Sequence, residues 1–281
     1  MEGGDFDAFE VTLAAAVYRD ERLIADLQSG QKIHALYGAE MYQAEYDDVL
    51  DSGTQYGRAK NAFFGSLYGA QDTKLAETLG ITEEEVSGGR ERFEARYPGV
   101  GAAQARIAEA FCSMRQPGGL GTRVEWHEPH NYVESLFGFR RFFTLENSIC
   151  RALFEMAQQP PPSFGASRAR VKRRERLQTQ GGATQSALYG AAFQIQARNL
   201  RAAGNHQIQS SGAHICKRLQ RTIWDQQPAG VHPWKVQPLN VHDEVLCPTD
   251  EPLADVVAGV VESFRGDVPL ISMDWGVKAS W

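Results

Sequence analysis

Apolar residues recur at helical spacing through most of the chain and alternate with polar ones only in short stretches, which predicts a helix-rich protein with a small β component. Gly4–Phe9 reads as a short strand leading into a helix over Glu10–Arg19. Residues 21–50 have a helical pattern with a turn at Gly30, and Arg58–Gly69 places apolar and aromatic residues at helical spacing up to a glycine stop. Thr82-Glu-Glu-Glu85 has the form of a capped helix start. Tyr97-Pro98-Gly99 reads as a turn, Ala102–Met114 as a helix, and Val124–Phe143 as strands and turns. The proline-rich stretch Gln158–Ser167 runs into the basic segment Arg168–Arg176, which predicts an exposed loop over 158–176. A long helical pattern covers Ala183–Trp224, with Gly204 as the point where a break fits. Val231–Pro248 reads as two short strands around a polar tip, and no internal repeat is visible.

Composition narrows the class. The 281 residues are 42% hydrophobic and 23% charged, ordinary globular values that exclude a disordered or collagen-like chain. No apolar run reaches the ~18 residues of a membrane span, and the acidic start MEGGDFDAFE is unlike a secretion signal. Four scattered cysteines without a CxxC pair suit a reducing compartment, so a cytoplasmic protein is expected, with no membrane partner. The net charge of −6 is unevenly spread. Gly165–Arg221 holds eleven Lys or Arg against the single acid Glu175. Such a segment is either a polyanion footprint or a solvated basic helix and loop.

Three segments carry candidate chemistry. Asn240-Val-His-Asp-Glu-Val-Leu246 puts His242, Asp243 and Glu244 between apolar flanks. Acidic groups in such a place are costly unless exposed, paired or bound to metal. Asp5 and Asp7 end the opening strand beside Phe6 and Phe9, with Glu10 at the start of a helix. Carboxylates from two distant strands could meet in one sheet and hold hard cations through oxygen ligands. On a helix, Lys60, Phe64 and Tyr68 recur every four residues as one stripe, fit either for core packing or for a nucleotide. Taken singly, each segment also has an ordinary structural reading.

Together and in this order, DFDAFE, K-xxx-FG-xx-YG and VHDE resemble motifs A, B and C of family A (DNA polymerase I-type) DNA polymerases. Gly30-Gln-Lys-Ile-His34 is similar to that family's G-x-x-I-H element, and the segment Arg201 to Gln209 to its R-xxx-N-xxx-Q segment. Tyr97-Pro-Gly-Val100 matches a further family turn, while Gly65–Ala70 and Gln209–Lys217 are most similar to phage-type members. The likeness runs over nearly the whole chain.

The resemblance implies an α+β fold: a polymerase palm with an antiparallel sheet, and a mostly helical fingers subdomain. Palm is expected at 1–20 and 201–281, with the motif C hairpin near 236–247, and fingers at 21–200, with the motif B helix near 58–70. Thumb and exonuclease domains are absent from this reading. A separate chain is expected to supply them in a bacterial or phage-infected cytoplasm. By resemblance, Asp5 and Asp243, with the Phe6 carbonyl, bind two Mg²⁺ ions, and Glu244 is an auxiliary acid at the primer end. Glu10 is the steric gate against a ribose 2′-hydroxyl, His34 and Lys60 meet the dNTP triphosphate, and Tyr68 guards the template-base position. Phe64 stands where the family has Phe or Tyr, and Phe implies poor acceptance of dideoxynucleotides. Arg201, Asn205, Gln209 and His242 contact primer–template DNA.

The chain departs from the family at two positions. Tyr56 stands four residues before Lys60, where the family has arginine, and Thr12 stands where motif A often has one. Arg58 is two residues from Lys60, roughly 200° around a helix, and cannot replace that arginine directly. The alternative to a polymerase subunit is a catalytically inactive DNA-binding remnant. Single-subunit RNA polymerases share an Asp, a Lys helix and an HD motif, but Glu10 and Glu244 favour DNA synthesis. His127-x-x-His130 reads as surface histidines, and Gly118–Gly121 lacks the lysine of a phosphate loop.

Overall fold

The computed structural model describes residues 1–119, 121–159, 182–226, 236–249 and 252–277. The chain opens with β1 (Glu2–Phe6), followed by helices α1 (Phe9–Tyr18), α2 (Glu21–Gln28), α3 (Ile33–Tyr42) and α4 (Tyr46–Asp51). Next come α5 (Gly53–Leu67), α6 (Asp72–Leu79), α7 (Glu83–Arg96) and α8 (Pro98–Phe111). Short strands β2 (Met114–Arg115), β3 (Glu125–Trp126), β4 (Tyr132–Glu134) and β5 (Arg140–Phe142) lead to α9 (Thr144–Gln158) and α10 (Gly182–Gln226). The last part holds β6 (Leu239–Val241), β7 (Glu244–Cys247), α11 (Ala254–Ser263) and β8 (Met273–Val277).

Strand β1 lies between β7 and β8 in a four-stranded sheet of order β6-β7-β1-β8. Each neighbouring pair is antiparallel. The glycines of Glu-Gly-Gly-Asp-Phe explain how closely the neighbours approach. A Cβ on Gly4 would lie 2.3 Å from the Asp274 carbonyl oxygen, and one on Gly3 2.3 Å from Leu246 Cδ2. Glu2 ties the strand to its surroundings, accepting hydrogen bonds from the Leu253 backbone N–H and Trp275 Nε1, both at 2.9 Å.

By its internal contacts the chain divides into two compact units. The first comprises Met1–Ala103, Glu134–Phe139 and Asn205–Trp281. Its core joins Phe6 and Phe9, whose rings stack at 4.3 Å, to the buried faces of α1, α3, α5, α7 and α11. On α10, Ile208, Ile215, Leu219 and Ile223 enter the same core at helical spacing. The second unit comprises Gln104–Val133 and Arg140–Gly204. Its two cores centre on Phe111, Val133 and Phe143, and on Met114, Val124 and Ala192. Beside the latter, the buried amide of Gln196 accepts from Ser113 Oγ at 3.0 Å and from the Met114 N–H at 2.7 Å.

The predicted α+β class, with an antiparallel sheet in a mostly helical chain, is what the structure has. The Thr82–Glu85 capping box is formed, and Gly204 does not interrupt α10, which is one 45-residue helix. Gly204 is buried there, with room for a Cβ 3.6 Å from Ile107 Cδ1. Several boundaries differ from the sequence pattern, and the helix expected over Ala102–Met114 already ends at Phe111, with Met114 in β2. The opening strand ends at Phe6, because Ala8 takes a left-handed conformation (φ 44°) before α1. Helix α5 starts at Gly53, capped by the Ser52 side chain accepting from the Gln55 N–H at 3.3 Å. Helix α8 starts at Pro98, since a proline fits the first helical position. The predicted loop over 158–176 falls, from residue 160 onward, outside the described residues, as do residues 231–235 of the C-terminal strand pair.

The close approach at β1 has a measurable consequence. Gly4→Ala meets backbone on β8 and should lose ~1–3 kcal/mol of stability in urea titration. Gly3→Ala first meets the rotatable end of Leu246 and should lose clearly less. Equal losses would mean that β8 does not limit the packing.

Candidate active site

Motif C forms a tight hairpin. His242 and Asp243 are the two turn residues between Val241 and Glu244, which are paired in register. His242 has φ +57°, the positive value such turns require at a central position, and histidine adopts it more readily than most residues. Asn240 Nδ2 holds the turn, donating to the carbonyls of His242 at 2.8 Å and Glu244 at 3.1 Å.

The sheet register brings acids together. Asp5 is opposite Glu244 on β7 and opposite Asp274 on β8. Like charges directly across strands cost roughly 0.2–1 kcal/mol per pair. The Asp5 carboxyl is held above the usual carboxylate range, first by loss of hydration and then by the charges of Asp243 and Glu244. A hydrogen bond from the Phe6 backbone opposes the shift. Asp274 extends the acidic row but is not among the groups that perturb Asp5.

Opposite these acids stands an aromatic wall. His34, in the first turn of α3, packs against Phe63 and Phe64 at centroid distances of 5.2 and 5.3 Å, and against Tyr56 at 6.2 Å. Its Nδ1 is enclosed with no hydrogen-bond partner. Burial, followed by the charges of Lys60 and Lys32, depresses its pKa to about 4, so the ring is neutral at physiological pH. Lys60 and Phe64, one turn apart on α5, face the same space, and Lys60 is exposed. Tyr68 caps α5 beside Glu10, and its hydroxyl is pushed above the ordinary phenol range by burial and then by the Glu10 charge. Glu10 Oε1 accepts a hydrogen bond from Gln209 Nε2 at 3.2 Å.

These residues surround an open cleft of ≈ 690 Å³ within the first unit. Asp5, Phe6, Glu10, His34, Lys60, Phe64, Gln209, His242 and Asp243 all line it. Glu244 sits beside Asp5 in the sheet, and Tyr68 beside Glu10. Asn205 is one turn from Gln209 on α10, with an enclosed and unpartnered Oδ1. Arg201 falls in the second unit. Arg58 Nη1 is turned to the Leu79 carbonyl at the end of α6, at 3.4 Å. Asn240 and Asp274 escaped the sequence reading. Their places depend on closure of the turn and on sheet register, neither of which leaves a spacing signal.

The donor set is suited to a hard divalent cation. Among the described residues no three His, Cys, Asp or Glu side chains close into a metal cage. Magnesium is ordinarily held by one or two carboxylates completed by water and substrate phosphates, and not by an all-protein cage. Mutually repelling oxygens, with no ion pair to them among the described residues, fit that mode.

A small antiparallel sheet in a mostly helical chain, here carrying paired carboxylates and faced by a helix with a lysine and aromatic rings, is the fold class of a polymerase domain. The chain belongs to DNA polymerase family A, whose family model matches residues 2–271. It is 27% identical to DNA polymerase I of Pseudomonas aeruginosa over 284 residues, covering 99% of this chain but 24% of that protein. It is 31% identical to DNA polymerase I of Streptococcus pneumoniae over 138 residues, 49% of this chain and 14% of the relative. Among solved structures, its fold is similar to the POL domain of Pol1 from M. smegmatis in complex with DNA primer-template and dNTP. That match has a TM-score of 0.59 and 21% identity, and covers 98% of this chain and 39% of the other. The chain thus spans only part of the length of the proteins it matches.

The neutral state of His34 makes stability depend on pH. An imidazole whose folded pKa lies near 4 takes up a proton in the unfolded chain first. Its contribution is therefore complete above the unfolded value of ~6.5 and declines as pH falls from there towards the folded value. His34→Phe should show a smaller drop in urea midpoint between about pH 7 and about pH 5 than the unsubstituted protein. An identical drop would show that folding leaves the His34 pKa where the unfolded chain has it.

Proposed function

We propose that this chain carries out template-directed DNA synthesis, transferring a nucleotidyl group from a dNTP to a primer 3′-hydroxyl, as the palm-and-fingers portion of a polymerase. The observation that carries this reading is the single cleft faced by Asp5 and Asp243 on one side and by Lys60 and His34 on the other. The assignment of palm to 1–20 and 201–281 and of fingers to 21–200 follows the motif order. A thumb and exonuclease on a separate chain, and a cytoplasmic location, belong to the same proposal. Among the described residues, no helix is long and apolar enough to cross a membrane.

Asp5, Asp243 and the Phe6 carbonyl would hold divalent cations, two in the full site, with Glu244 adjacent. When bound, such ions stabilise charge on the attacking and leaving oxygens. Lys60 supplies positive charge to the triphosphate. Neutral His34 adds a polar contact without competing for a proton, and Phe64 presents a ring to the sugar and base. Glu10 fills the place of a ribose 2′-hydroxyl, and Tyr68 covers the template-base position. On α10, Arg201, Asn205 and Gln209 recur every four residues and offer donors suited to minor-groove acceptors common to all base pairs. His242 stands at the hairpin tip for the primer end. Catalysis then rests on positioning and electrostatics.

One observation favours the inactive DNA-binding remnant. Tyr56 replaces the phosphate-side arginine, and Arg58 is engaged at Leu79. Single-nucleotide primer extension with Mg²⁺ separates the readings. The polymerase reading expects extension, alone or with a thumb-bearing chain added, and a loss of at least ~10²-fold in Asp5→Ala and in Asp243→Ala. A folded chain that binds primer–template yet extends nothing under either condition would establish the remnant.

A further inference from the structure

The Glu10–Gln209 hydrogen bond joins residues 199 positions apart and lies within the cleft. Several features fix its two ends. Glu10 is in the first turn of α1, directly after Phe9, which is buried and stacked on Phe6. Gln209 is on α10 between the buried residues Ile208 and Ser211. Ser211 locks the rotation of α10, donating to the Gln207 carbonyl at 2.6 Å and accepting from the Leu136 N–H at 3.1 Å. At Gly212, α10 meets α1 so closely that a Cβ would stand 3.0 Å from the Phe9 ring and 3.1 Å from Leu13. The backbones are thus set, but the Glu10 side chain still has three rotatable bonds. A carboxylate at the mouth of an open cleft turns to water unless a donor holds it.

We propose that Gln209 is a positioning residue for Glu10: its amide holds the carboxylate where the sugar of an incoming nucleotide is discriminated. This rests on the reading of Glu10 as the steric gate. A primary amide has two N–H donors. One serves Glu10 Oε1, and the other, beside the Tyr68 hydroxyl, lies in the cleft where it can meet a minor-groove acceptor of an entering primer–template pair. Sugar selection and inspection of the base pair then share one side chain. Tyr68 lies beside the same pair, its hydroxyl facing both the Glu10 carboxylate and the Gln209 amide.

The test measures affinity, so it needs no turnover. The chain, bound to primer–template with a dideoxy-terminated primer, is titrated with dATP and with ATP in Mg²⁺. Gln209→Met keeps the length and apolar stem but removes the donors. Its deoxy-over-ribo preference should fall about fivefold, with dATP affinity changing less. Glu10→Ala should lower the preference as well, and the double variant should fall no further than Glu10→Ala alone. Unchanged preference in Gln209→Met, or equal loss of affinity for both nucleotides, overturns the positioning role while a fall in Glu10→Ala keeps the gate. No preference in the unsubstituted chain, or none lost in Glu10→Ala, overturns the gate reading and the proposal with it. Gln209 is exposed, and an unchanged urea midpoint for Gln209→Met shows that folding is not what changed.

Discussion

Carboxylates that repel one another must be held together, and most of the site's architecture follows from how this is done. Asp5 and Glu244 are neighbours across β1 and β7, with Asp243 at the adjoining turn. Left free, these charges would separate. They do not, because Gly3 and Gly4 let the flanking strands close on β1, and because Asn240 pins the turn that carries His242 and Asp243. Register is all-or-nothing in such an arrangement. A slip of one residue along β7 would send every side chain of the strand to the opposite face. The cost of the cluster is thus borne by a backbone with very little freedom, and a cation would return part of it.

The opposite wall works by the same electrostatic logic with the sign reversed. His34 stands among Tyr56, Phe63 and Phe64 and near two lysines, so both dehydration and like charge keep it neutral. Tyr56 occupies the position of the family arginine. An arginine there would have added a third positive charge and an open, hydrated neighbour. In this chain an aromatic edge stands near the imidazole, with ring centroids 6.2 Å apart. Arg58 is nearest in sequence but has its guanidinium at the α6 C-terminus, where a cation satisfies an end carbonyl.

What could be read from the sequence was whatever a local pattern encodes. The acids of Asp5–Glu10 and of His242–Glu244, and the stripe Lys60–Phe64–Tyr68, announce themselves within a few residues. The cleft gathers these segments with His34 and Gln209. The four-residue spacing from Arg201 to Gln209 was equally visible once the helix was taken to run through Gly204, which it does. Less legible were features whose cause lies elsewhere in the chain. The strand end at Phe6 depends on Ala8 adopting a conformation that alanine disfavours, and no glycine marks the spot. The acidic row ending at Asp274, the Asn240 clasp and the Glu10–Gln209 bond exist only after distant elements have packed. The grouping of Asn205–Trp281 with Met1–Ala103 likewise comes from a shared core and not from any composition boundary.

Helix α10 shows how packing and recognition are made to depend on one another. Ile208, Ile215, Leu219 and Ile223 form a buried stripe, and Gln209 lies at its rim, one residue from Ile208 and three from Gly212. A polar side chain at the rim of a buried stripe is in an unusual position. Its stem is fixed by the core below, while its amide reaches the cleft above. Moving the helix by the width of a methyl group at Gly212 would displace that amide relative to Glu10 without touching either residue. Close helix packing in this fold therefore does more than stabilise the core. It sets the distance between two side chains that line one cleft, so the tolerance of the packing becomes the tolerance of that cleft.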